Sequence, residues 1–115
     1  MTKLYGIRSG GSCQLATRWL EEQEIDYEFV DVRAEGVDES ILERWQETLG
    51  WESLLNKRSI TWRKIPPFDR EDLNAGKARE LILNYPTVMK RPVLDTGTKL
   101  LLGFDKFAYE ELGLK

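Results

Sequence analysis

The order of local patterns predicts an α/β fold: βαβ, then a helical insert, then ββα, closing a four-stranded mixed sheet in one domain. Three observations carry this expectation. Lys3-Leu4-Tyr5-Gly6-Ile7 is a short apolar run stopped by Ser9-Gly10-Gly11-Ser12, after which the apolar period becomes helical. The stretch of about residues 34–90 is helical and laced with charge. The last quarter returns to strand-like runs around a glycine turn.

Each element follows from its residues. After the first strand, Leu15, Ala16, Trp19 and Leu20 fall on one helical face, with Arg18, Glu21 and Glu22 toward solvent. Ser9 or Ser12 is the expected cap. Residues 25–32 make the second strand, with Tyr27, Phe29 and Val32 as apolar positions. The helix between them is long enough to cross over a parallel pair. In the insert, Asp38 precedes Ile41, Leu42, Trp45 and Leu49, a capped helix ending at Gly50. A short helix or turn is expected over 51–56, a helical turn over 69–73 and a helix over 77–84 before Pro86, with Pro66-Pro67 as a break. Pro92 to Asp95 and Thr98 to Leu102 flank Thr96-Gly97 as a hairpin, and residues 104–112 close with a helix, apolar at Phe107, Ala108 and Leu112. No internal repeat or low-complexity tract interrupts the chain.

Composition narrows the chemistry. The 115 residues fill one domain and can bury a core without staples. Hydrophobic residues make up 41% and charged residues 32%, an ordinary globular mix. Lys and Arg total 17 against 20 Asp and Glu, a net charge of -3, which argues against direct DNA or RNA binding. The chain has no His, which removes Ser-His-Asp and Cys-His mechanisms and His metal ligands. Its one Cys, Cys13, permits neither an internal disulfide nor a cysteine metal cluster, so no metal site is expected. A lone free thiol, no apolar signal core and no run of about 18 apolar residues point to a cytoplasmic protein without membrane attachment.

The candidate chemistry sits at the loop after the first strand. Ligands in open α/β sheets bind beyond the carboxyl ends of strands, where free N–H groups of a helix start attract anions and thiolates. Ser9, Gly10, Gly11 and Ser12 are therefore candidate binding residues, and Cys13, in the first helical turn, is a candidate nucleophile. The opposing reading is a buried Cys packing as a small hydrophobe. Neither GxGxxG nor GK[ST] occurs, so the glycines carry no nucleotide fingerprint. Arg91 is either a solvated charge or a cation that stabilises a thiolate or holds an oxyanion. Pro92 opens a strand, where Pro is permitted. Lys57, Arg58, Arg63 and Lys64 surround Trp62, either as a solvated loop or as a docking patch for an anion or peptide, with Arg58 as a candidate contact. The carboxylates are scattered along helix faces without forming a catalytic pair.

Several segments resemble the arsenate reductase (ArsC)-like family. These are Leu4-Tyr5-Gly6-Ile7, Ala16, Arg18-Trp19-Leu20 and Asp26-Tyr27. The blocks Leu49-Gly50-Trp51-Glu52, Leu54 to Arg58, Thr61-Trp62-Arg63-Lys64, Pro86 to Leu94 and Leu101 to Phe104 are similar to its YffB-type branch. The family also includes the Spx transcriptional regulators. The resemblance implies a thioredoxin-like (glutaredoxin-like) fold, with a reactive Cys at the position held here by Gly10. Where Spx-type members carry Cys-x-x-Cys, this chain reads Gly10-Gly11-Ser12-Cys13. Arg91 matches the family's active-site arginine and Pro92 its cis-proline. Of two further oxyanion arginines, neither is matched: Asn56 and the Leu102-Gly103 region stand there.

The implied function is a glutathione-linked thiol-disulfide reductase with an atypical site, Cys13 and Arg91 acting on a small or protein thiol. No cofactor is bound, and glutathione serves as co-substrate. Lacking a second Cys, Cys13 needs a partner thiol to resolve a mixed disulfide. The alternative is a non-catalytic regulatory or protein-binding module, with RNA polymerase as partner if it is Spx-like. All of these readings require the loop after the first strand and the Arg91-Pro92 corner to meet.

Overall fold

A computed structural model describes residues 1–114. In chain order its elements are β1 (Lys3–Gly6), α1 (Gly11–Glu22), β2 (Glu28–Asp31), α2 (Val32–Glu35), α3 (Glu39–Leu49), α4 (Trp51–Leu54), α5 (Ile60–Lys64), α6 (Ala75–Asn84), β3 (Val93–Asp95), β4 (Leu100–Leu102) and α7 (Lys106–Glu111). Short 3-10 turns cover Pro67–Arg70 and Pro86–Val88. The chain forms two compact units: Met1–Glu35 with the chain from Arg91 onward, and Gly36–Lys90.

The first unit is a four-stranded mixed sheet in the order β2-β1-β3-β4. β1 pairs parallel with β2 (Tyr5 opposite Val30) and antiparallel with β3 (Leu4 opposite Leu94). β3 and β4 form the expected hairpin, turned at Gly97 with φ +97°. The α/β, thioredoxin-like reading of the sequence is the fold observed. Its core joins Leu4, Ala16, Trp19, Leu20, Leu94 and Tyr109. Tyr109 stands edge-on to Trp19, centroids 5.5 Å apart, and to Phe104 at 4.8 Å.

Four local expectations need correction. Leu15 is half exposed; the buried stripe of α1 runs Cys13, Ala16, Trp19, Leu20, so the thiol takes the place expected of the leucine. Neither serine caps α1: the N-cap is Gly10, which has no side chain to offer. β2 is shorter than residues 25–32 because Asp31 ends it. Its Oδ1 accepts from Arg33 N (2.9 Å) and Ala34 N (3.2 Å), starting the turn of α2, where Val32 is buried. As an edge strand β2 buries Val30 and leaves Phe29 partly covered, as is Tyr27 just before it. In α7, Tyr109 is buried and Phe107 exposed, because Asp105 Oδ1 accepts from Phe107 N (3.0 Å) and sets the helix phase.

The second unit is helical, as the insert was expected to be. Leu42 and Trp45 bury the inner face of α3, which stops at Gly50 (φ +82°), a conformation suited to glycine. α6 begins two residues earlier than expected, where Asn74 Oδ1 accepts from Lys77 N (2.9 Å). The expected turn over 69–73 lies instead at Pro67–Arg70, with Pro at its first position. α5 was not anticipated: Ser59 Oγ accepts from Trp62 N (3.0 Å) and caps one helical turn within the basic stretch. An antiparallel bridge between Leu55 and Met89, flanked by Lys90 N to Leu54 O (2.8 Å), ties the unit together. Among the described residues, no helix is long and apolar enough to cross a membrane.

Candidate functional site

Chain reversal after β1 builds the site. Gly10 N–H donates to Ile7 O (3.0 Å), and Gly10 O accepts from Gln14 N (2.9 Å) as the first bond of α1. This tight turn swings Cys13 back over the end of β1. A Cβ placed on Gly6 would stand 2.5 Å from Cys13 Sγ and 3.7 Å from Pro92 Cβ. One placed on Gly10 would lie 3.4 Å from Cys13 Sγ and 3.3 Å from Ile7 O. Because Tyr5 pairs with Val93, Pro92 falls beside Gly6. The loop after β1 and the Arg91-Pro92 corner therefore meet around the sulfur, and the Arg91-Pro92 bond is cis.

The thiol is covered. Cys13 is only 2% exposed and has no disulfide partner. Ser9, Gly11 and Ser12 face solvent, Gly10 is half-buried and Pro92 is buried. Arg91 is half-buried, and burial holds its guanidinium below the usual arginine value. Cys13 opposes that shift and Arg33 reinforces it, so all three groups lie within electrostatic range. Tyr109 lies in the same field. Burial first, and the Cys13 charge second, push its phenol above the ordinary tyrosine value. Its hydroxyl donates to Gly103 O (3.2 Å).

Cys13, Gly10, Arg91 and Pro92 thus come together with Ser9, Gly11 and Ser12 on the adjoining turn. Arg58 belongs to the second unit, where it is exposed and its N–H donates to Asn56 Oδ1 (3.0 Å). Three contributors were not anticipated. Gly6 gives the sulfur room, and its signal was present: a glycine inside a strand often marks a close approach. Tyr109 was hidden by the phase of α7. Arg33 depends on the turn that Asp31 starts, which has no strong local signature. Among the described residues, no group of three or more His, Cys, Asp or Glu forms a metal-binding cluster.

The mixed β2-β1-β3-β4 sheet, with the cis Arg91-Pro92 corner facing the turn into α1, is a thioredoxin-like arrangement. The ArsC family model matches residues 5–112, and the chain belongs to that family. A solved YffB protein superposes with a TM-score of 0.93 at 38% identity, covering 100% of both chains. An arsenate reductase (ArsC) related protein from Brucella melitensis is 42% identical with a TM-score of 0.72, covering 96% of this chain and 92% of the other. Global transcriptional regulator Spx 2 of Bacillus anthracis is 32% identical over 109 residues, 91% of this chain and 81% of the regulator.

Proposed function

We propose that this ArsC-family chain is a regulatory or protein-binding module on a thioredoxin-like scaffold, with a redox site that no longer turns over thiols. One observation carries the reading: the sulfur of Cys13 is 2% exposed and packed against Gly6 and Gly10. Thiol–disulfide exchange requires direct approach of one sulfur to another. The position at which the family resemblance puts the attacking thiol is Gly10, half-buried at the start of α1 and without a side chain. The similarity to a protein named as a global transcriptional regulator supports a partner-binding role, and RNA polymerase is the partner that an Spx-like role implies. A single free thiol fits a reducing compartment, here the cytoplasm.

The proximity of Arg91 to Cys13 favours a second reading, a glutathione-linked thiol-disulfide reductase. In that case Cys13 attacks a disulfide after local opening, and glutathione resolves the mixed disulfide. The two readings separate in a glutathione-coupled assay of disulfide reduction with wild type and Cys13→Ser. The module reading expects both proteins to give the uncatalysed rate. Turnover abolished by Cys13→Ser would replace it with the reductase.

A further inference from the structure

Within the second unit, residues 57–70 gather five of the chain's 17 Lys and Arg against one acidic residue, Asp69, although the whole chain carries -3. The segment is built with an inward and an outward side. Thr61 Oγ1 hydrogen-bonds Thr87 Oγ1 (2.5 Å) and Ile65 is buried, so positions i and i+4 of the 60–65 stretch anchor it. Ile60, Arg63 and Lys64, at i, i+3 and i+4, occupy the other side and are exposed, Ile60 to 68%. Just beyond α5, Phe68 is 82% exposed. Lys57 Nζ lies 5.7 Å and the Arg70 guanidinium 5.5 Å from the Trp62 ring centroid. Contact with the ring holds these cations in place without neutralising them. Among the described residues, Arg58, Arg63 and Lys64 form no ion pair with a carboxylate.

We infer that the 57–70 segment is a docking surface for an acidic protein segment carrying apolar side chains. The inference rests on the module reading above and names the chemistry of its partner. Charge complementarity selects an acidic ligand. Ile60 and Phe68, exposed in the same short cationic segment, select one with aliphatic or aromatic groups to bury, since interface cores are enriched in aromatic residues and arginine. A nucleic acid satisfies the cations but offers an aliphatic isoleucine little, and the acidic remainder of the chain repels a long polyanion.

The test uses the intact protein and a fluorescein-labelled synthetic peptide alternating Glu or Asp with Leu and Phe, read by anisotropy. Controls are the same peptide with Lys for each acid, and single-stranded oligothymidylate. The surface is supported if the acidic peptide binds, weakens at high salt, and loses about tenfold or more affinity in R63E/K64E. Phe68→Ser should also weaken binding, with less change in salt dependence. Circular dichroism checks folding, and Arg58→Glu replaces the double variant if that one fails to fold. Absence of binding, equal binding by R63E/K64E, or tighter binding of oligothymidylate each overturns the surface. The thiol assay is a separate readout. A silent peptide with an inert thiol defeats the surface alone, whereas Cys13-dependent turnover defeats the module reading.

Discussion

Cys13 and Phe68 stand at opposite ends of solvent exposure, 2% against 82%. The one thiol of an oxidoreductase-related scaffold is packed away between glycines, while a phenyl ring in a cationic stretch faces water. The turn after β1 packs Cys13 against Gly6 and Gly10, and what it presents to solvent is Arg8, Ser9, Gly11 and Ser12. The 57–70 segment has no redox chemistry, yet it offers the unpaired charge and apolar surface that recognition needs.

The largest effect is expected where the thiol is tightest. Gly6→Ala places a methyl 2.5 Å from Cys13 Sγ, and overpacking of this kind costs about 1–3 kcal/mol. Urea unfolding measures the loss, and Cys13→Ala in the same chain should recover much of it by removing the sulfur. Additive losses in the double variant would mean the two residues do not press on one another.

Gly10→Cys sharpens the same comparison. Its Cβ would lie 3.7 Å from Cys13 Cβ, within the roughly 3.5–4.5 Å range of disulfides. Gly10 already has φ -72° and ψ 135°, which any residue adopts. The reduced variant should show one fast thiol, at position 10, and mild oxidation should remove both thiols from titration. Two thiols that stay free after oxidation would place the groups further apart than described.

Much of the first unit is legible in the chain because its signals are local. The apolar run of β1, the helical period after it and the Gly97 turn each lie within a few residues. The phases of α1 and α7 are not local in this sense. Leu15 and Phe107 look like core residues by apolarity, but the turn at Gly10 and the Asp105 cap rotate Cys13 and Tyr109 inward instead. α5 escaped because one capped turn among cations shows no apolar period. The loop meeting the Arg91-Pro92 corner followed from family resemblance and strand order; burial of the sulfur against Gly6 depends on how closely helix and sheet pack, which spacing along the chain does not encode.

A moderate effect is expected at Tyr109. Tyr109→Phe removes the hydroxyl bond to Gly103 O at a cost of about 1 kcal/mol. The pH dependence has a definite sign. The folded phenol titrates above its ordinary 10.0, so its contribution is intact below that pH. As pH rises past 10.0, tyrosine in the unfolded chain ionises first and stability falls, by at most about 1.4 kcal/mol per pH unit. Unfolding curves from about pH 8 to about pH 11 should be flatter for Tyr109→Phe; an unchanged slope would remove Tyr109 as their source.

The smallest effects belong to the exposed segment. Ile60→Ser and Phe68→Ser should change stability by no more than about 0.5 kcal/mol, since neither side chain is packed. A loss of several times that amount would show these side chains packed into the fold and unavailable to a partner.

The central claim is tested most directly by the rate at which an aromatic disulfide reagent modifies Cys13 in the folded wild-type protein, followed across increasing denaturant. Burial expects reaction at least about a hundredfold slower than a free thiol, accelerating with denaturant as opening exposes the sulfur. Modification at free-thiol speed in native buffer, slowed by Arg91→Ala, would contradict it and return Cys13 to catalysis.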